Sequence, residues 1–215
     1  PPDTPQSFAN EPSGGFGLMG GRVLYLDSPD TIQIDGGTIA RRTGVTGNSG
    51  LYQPHATTPP PDPSRIDFIT GASVVASRAF IDHAGPMPED YFLYYEEVDW
   101  ALRRGSLPLA YCPGGIVYHR AGTSIGSATL GRPASPFSLY FKHRGRMRFL
   151  RRHLPRSVAT GLAYSVAKAG QLALRGYVLE ARSIMAGSLE LPPPASVRER
   201  LSKASQALAF SRLRQ

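Results

Sequence analysis

One cysteine, Cys112, stands in the 215 residues. That excludes an intrachain disulfide framework and a cysteine-based zinc site, and it is compatible with a reducing compartment and a cytoplasmic location. No run of about 18 uninterrupted apolar residues occurs; the longest candidate, Val158 to Gly187, carries Lys168, Arg175, Glu180 and Arg182, which argues against a membrane span. The chain opens Pro1-Pro2-Asp3 without a Met, a basic start followed by an apolar core or a small-residue cleavage site, so it reads as a piece of something longer and not as a signal peptide. A Ser/His/Asp order, a phosphate-cradling glycine loop and a dinucleotide fingerprint are also missing, because the glycines around Gly14 to Gly21 do not sit between a strand and a helix.

Acidic residues are scarce in the last third. Residues 1–131 hold 8 basic and 13 acidic side chains, whereas residues 132–215 hold 16 and 3, so the formal +8 divides into −5 and +13. Such a split suits an acidic or neutral body carrying a basic surface for an anionic partner, lipid or nucleic acid, and equally suits a solvated helical face. The apolar content, 41%, is that of an ordinary globular chain with one core and a tail.

Along the chain, residues 1–16 are rich in Pro, Ser, Asn and Gly and predict an irregular linker. Arg22–Leu26 and Thr31–Ile34 flank a turn at Asp27-Ser-Pro-Asp30 and predict two extended segments. Residues 40–65, with Gly44, Gly47, Gly50 and Pro59-Pro-Pro61, predict a mobile or excursion loop. Ile66–Ala76 reads as a buried strand with a close backbone approach at Gly71. Arg78–His83 reads as a short helix stopped by Gly85-Pro86. Glu96–Arg104 is a second helix, its acids early and its arginines late, as the helix dipole prefers. Leu109–Cys112 and Ile116–Tyr118 predict two strands around the turn Pro113-Gly-Gly115. Ser138–His153 reads as an aromatic, Arg-rich helix and Val158–Gly187 as a longer apolar one. Residues 195–215 form a weakly amphipathic tail after Pro192-Pro-Pro194.

Three carboxylates, Glu96, Glu97 and Asp99, fall within four positions at the start of one helix. Glu96 and Asp99 share a face, Tyr95, Val98 and Leu102 make the buried face, and Glu97 points with Trp100 and Arg104 along a third direction. A carboxylate there is stabilised as an anion by the dipole, while burial beside a second carboxylate raises its pKa; the balance decides whether it takes a proton near neutrality. Asp99 is read as a structural helix acid pairing Arg103 at i,i+4. For Glu97 the structural and functional readings both stand. His119 ends an apolar strand before the small-residue loop Arg120 to Ser124. A lone histidine is more often a structural hydrogen-bonder than a metal ligand, unless carboxylates converge on it.

Thr70-Gly71-Ala72-Ser73, Gly85-Pro-Met-Pro-Glu89-Asp-Tyr-Phe92, Tyr95-Glu96-Glu97-Val98-Asp99-Trp100 and Tyr118-His119 followed by Gly122-Thr-Ser124 resemble, in order and spacing, the family 2 glycosyltransferases, particularly their rhamnosyltransferase-like branch. The resemblance covers roughly residues 18–190 and extends to Tyr140-Phe-Lys-His-Arg144 and Arg148–His153. It implies an α/β fold, an incomplete Rossmann-like GT-A catalytic domain over residues 17–131, with a basic helical appendage over 132–215. Glu97 would be the general base that deprotonates the acceptor hydroxyl, one methylene longer than the family's usual Asp. His119 would join the family's Asp-x-Asp in holding Mn²⁺ or Mg²⁺. Glu96 and Trp100 would line the acceptor side, and Gly71 and Ala72 the floor near the donor sugar.

No Asp-x-Asp stands in the right place, so the chain alone is expected to be inactive without a donor-binding half. The expected partners are a nucleotide-sugar donor, a surface-glycan or lipid-linked acceptor, and an anionic membrane surface at the inner face of the cell membrane; nucleic acid is not favoured, for want of any recognised motif. The rival reading is a degenerate, non-catalytic interaction or membrane-docking module.

Overall fold

The computed structural model describes residues 1–11, 15–120, 126 and 133–210. They form a mixed α/β structure that divides into two compact units. The first comprises Pro1–Ala40, Thr46–Met87 and Glu97–Ala121, and the second Arg41–Val45, Pro88–Glu96 and Gly122–Gln215.

The first unit is built on β1 (Leu18–Tyr25), in which seven of eight residues are buried. Successive side chains of a strand point to opposite faces, so burial on this scale means that both faces of β1 are covered; both of its edges are paired as well. One edge takes β6 (Leu109–His119) in parallel from Leu18↔Leu109 to Tyr25↔His119. The other takes β5 (Val74–Ala76) and β2 (Ser28–Ile34), both antiparallel. The β1–β2 hairpin turns at Leu26-Asp27, and Ser28, Pro29 and Asp30 of the predicted turn belong to β2 instead. Leu18, Val23, Leu24, Ile32, Ile69, Phe80 and Trp100 fill the core.

Several expectations are corrected. Thr4–Asn10 is a helix, α1; Pro5 suits a first helical turn, and the Thr4 hydroxyl donates to the Ile116 carbonyl. Pro113-Gly-Gly115 does not reverse the chain. Gly20 pairs Tyr111 and Arg22 pairs Ile116, so β6 is one strand with a bulge. Its bulge packs where Gly21 has no side chain, since a Cβ there would lie 1.7 Å from the Gly115 oxygen.

Residues 40–65 are not a free excursion. β3 (Gly37–Ala40) pairs β4 (Val45–Asn48), and the carbonyls of His55, Thr58 and Pro59 accept from the buried Arg22. Gly71 makes no close approach, because a Cβ there would meet nothing within 4 Å; the tight position is Gly37, against the Phe68 ring.

Two helices complete this unit. α2 (Arg78–Ala84) is capped by Ser77 and ends at Gly85, whose φ of 72° favours glycine. α3 (Glu96–Leu102) buries Val98, Asp99, Trp100 and Ala101. The buried face thus includes Asp99 and Trp100, both of which the helical pattern assigns to other faces.

The second unit is helical. α4 (Pro136–His153) starts at an N-cap Ser135 that accepts from the Ser138 amide. The long apolar segment predicted after it is two helices, α5 (Val158–Leu174) and α6 (Val178–Ser188), separated at Gly176, φ 83°. The tail forms α7 (Ala195–Arg198) and α8 (Lys203–Ala209); residues 211–215 lie outside the described residues. No helix of the described residues is long and apolar enough to cross a membrane.

Candidate functional site

The acidic cluster is delivered by an unusual stretch of backbone. Phe92, Tyr94 and Tyr95 have φ of 67°, 66° and 75°, values that cost a non-glycine residue of order 1–3 kcal/mol each and persist only where neighbours over-determine them. α4 and the segment Arg41–Val45 supply that support within the second unit. Arg144 donates to the Tyr91 carbonyl, Arg148 to the Asp90 carbonyl, and Arg152 pairs the Asp90 carboxylate at 2.8 Å. The Tyr94 hydroxyl meets Ser138 Oγ at 2.7 Å, and the Tyr95 hydroxyl donates to the Gly44 carbonyl at 2.7 Å.

Glu96 and Glu97 follow directly in the first turn of α3, both half-buried. The Glu96 Oε2 is buried without a hydrogen-bond partner, and that burial raises its pKa above the usual carboxylate value. The balance foreseen for this turn therefore falls on the side of desolvation at Glu96. Asp99 is fully buried, and its Oδ1 accepts from the half-buried Arg103 Nε at 2.6 Å: the i,i+4 pair is present, with its carboxylate inside the fold. Trp100 is buried, packed edge-to-face on Phe80 at 4.8 Å and donating to the Gly85 carbonyl, so almost none of its ring is open to an acceptor. Gly71 is exposed and Ala72 half-buried.

His119 lies at the carboxyl end of β6, beside the end of β1, the end of a parallel strand pair at which open α/β sheets bind ligands. It is exposed, and its Nδ1 lies 3.1 Å from Gln33 Oε1. With Nδ1 donating to Gln33, the lone pair rests on Nε2, the nitrogen then open to a metal ion. Among the described residues, however, no group of three or more His, Cys, Asp or Glu side chains is placed to hold a metal ion. The loop after it, Gly122 to Ser124, lies outside the described residues. At the same end, Tyr25 stacks on Tyr52 at 5.8 Å, and burial followed by the neighbouring phenol pushes the Tyr25 pKa up to about 12.

Sequence reasoning missed two supports. Arg22 forms a buried bidentate pair with Asp35 at 2.9 and 2.7 Å, and Tyr111 donates to the same carboxylate. Burial lowers the Arg22 pKa, but Asp35 and Tyr111 together outweigh this and raise it on balance. Arg144 has no solvent exposure. It bonds the Ala209 and Tyr91 carbonyls and lies over the Phe141 ring at 4.6 Å; burial, then Arg148, pulls its pKa down to about 10. The available signal was the spacing Arg144, Arg148, Arg152, one face of α4 repeated every four residues. No family model matches the chain, and no curated protein matches it significantly.

Proposed function

We propose that this chain is the acceptor and catalytic-base side of an inverting sugar transferase of GT-A type. The observation that carries the reading is the acidic turn. Glu96 and Glu97 open α3 immediately after three aromatic residues at positive φ, and strain retained at such a cost clusters at ligand clamps and active sites.

In the proposed reaction the acceptor hydroxyl gives its proton to the Glu97 carboxylate as its oxygen attacks the anomeric carbon. The bond from that carbon to the donor diphosphate breaks on the opposite side, the electron pair leaves with the nucleoside diphosphate, and the configuration inverts. General-base help of this kind is worth about 10²–10⁴ in rate. The resemblance gives Glu96 and Trp100 the acceptor side and Gly71 and Ala72 the donor-sugar floor; within the first unit Trp100 is buried in the core and Gly71 leaves open space where a side chain would stand. A divalent ion, Mn²⁺ or Mg²⁺, would neutralise charge on the leaving diphosphate. His119 offers it one imidazole, and the described residues do not complete a site, so no step is assigned through it. The donor nucleotide is held, in this reading, by residues other than those described.

One observation favours the second reading, a non-catalytic docking module: Leu174, Val178 and Leu179 are exposed in the second unit. The two separate on turnover. Joined to a nucleotide-binding GT-A half and given nucleotide sugars with glycan or lipid-linked acceptors, the chain is expected to transfer sugar, and Glu97→Gln to abolish transfer while sparing donor binding. Donor binding without transfer across all acceptors would favour the docking module.

A further inference from the structure

Between His153 and Glu190 the sequence has a single acid, Glu180, against Arg156, Lys168, Arg175 and Arg182. In this stretch α5 buries Gly161, Ser165, Ala169 and Leu172. At 100° per residue its exposed residues Ala163, Val166, Ala167, Gly170 and Leu174 occupy a separate apolar arc, bordered on one side by the exposed Gln171 and Tyr164, with Lys168 and Arg175 beyond them. The arc runs into the turn to α6. There Tyr177 packs inward on the cluster of Leu139, Ala169, Leu172, Ala181 and Ile184, and the amides of Gly176 and Tyr177 donate to the Ala173 and Leu172 carbonyls. The turn is thus anchored by an aromatic side chain and by backbone bonds.

What that anchored turn presents outward is apolar. Leu174 is 92% exposed, Val178 55% and Leu179 50%. Arg182 follows Val178 by one helical turn, and Arg175 follows Leu174; both are exposed. In this unit Arg151 and Arg152 are tied to Glu190 and Asp90, whereas Arg175 and Arg182, like the exposed Arg156 and Arg198, have no ion-pair partner among the described residues. Unpaired cations bordering protruding leucines match a surface whose outer layer is anionic and whose inner layer is hydrocarbon.

We propose that the α5–α6 turn docks on an anionic lipid bilayer, with Leu174, Val178 and Leu179 entering the boundary between headgroups and acyl chains and Arg175 and Arg182 contacting lipid phosphates. This does not rest on the transferase reading, since it asks nothing of Glu97. Cosedimentation with vesicles of phosphatidylcholine, with and without phosphatidylglycerol, tests it. The protein is expected to bind the anionic vesicles and to release as salt rises. Leu174→Ser/Val178→Ser/Leu179→Ser and Arg175→Gln/Arg182→Gln should each weaken binding by about tenfold or more, with thermal melts unchanged because these side chains face solvent. Absence of binding to anionic vesicles, equal binding to both vesicle types, or undiminished binding by the triple variant would overturn the proposal. So would a wild-type dimer that the triple variant splits and that ignores vesicles, since the face would then belong to a second copy of the chain.

Discussion

Arg144 Nη2 donates to the main-chain oxygen of Tyr91 at 3.0 Å, joining positions 53 apart in sequence. Through that bond a fully buried guanidinium holds the start of the strained aromatic turn, while its other arm holds Ala209 at 2.7 Å. The cation has no exposure and rests on aromatic faces. Its task is to satisfy backbone carbonyls that the fold would otherwise bury unpaired.

Arg144→Gln should therefore destabilise the protein by about 2–5 kcal/mol, because buried acceptors left without donors cost roughly 1–3 kcal/mol each. Arg144→Lys keeps the charge but not the planar fork and should recover only a minor part. Urea denaturation measures both, and limited proteolysis should show earlier cleavage near α8, which loses the bond at Ala209.

Gly145 is the neighbouring constraint. A Cβ there would lie 2.6 Å from the Tyr94 oxygen, a backbone atom that cannot swing aside. Gly145→Ala is expected to cost about 1–3 kcal/mol as an overpacking change, despite alanine's better helix propensity. An unchanged or raised melting temperature would mean that the aromatic turn yields readily.

The same region explains what the sequence concealed. The β1–β2 hairpin, α2 with its Gly85 stop and the acid-first order of α3 were legible because each carries its own local signal: turn residues, a left-handed glycine, a dipole-matched charge order. The bulge at Pro113-Gly-Gly115 was not, since a bulge and a hairpin turn use the same residues and only the partner strand, pairing Gly20 with Tyr111 and Arg22 with Ile116, tells them apart. Nor was the break at Gly176, because one glycine costs a helix only about 1 kcal/mol. The arginines of α4 read as a basic surface, yet Arg144 and Arg146 are buried and Arg148, Arg151 and Arg152 serve Glu190 and Asp90. Of the candidate site, the acidic turn was legible, but the strain at Phe92, Tyr94 and Tyr95 lies in dihedral angles that composition does not encode.

His143 gives the fold a pH dependence. Burial, then Arg146, holds its pKa down to about 3 against an ordinary 6.5, so the folded ring stays neutral while the unfolded one takes a proton below pH 6.5. Stability from this group is fully present above pH 6.5 and falls as pH drops from 6.5 towards 3, by up to about 1.4 kcal/mol per unit. His143→Gln should flatten that part of the profile in denaturation series across the window.

Glu96 should behave in the opposite sense. Its folded pKa lies above the ordinary value through burial, so its ionisation costs stability as pH rises through the carboxylate range. Glu96→Gln is expected to raise the melting temperature at neutral pH, and to lower transfer if the turn is functional; stability is commonly traded for activity in this way. A lower melting temperature would show that the carboxylate is held by favourable contacts.

In the proposed reaction Glu97 takes the acceptor proton. The most direct test of that step is the single-turnover transfer rate of Glu97→Gln beside the unsubstituted protein, each joined to a donor-binding half and saturated with nucleotide sugar. A fall of about 10²–10⁴ with donor affinity retained is the predicted result. Transfer at the unsubstituted rate would contradict it and remove Glu97 from the chemistry.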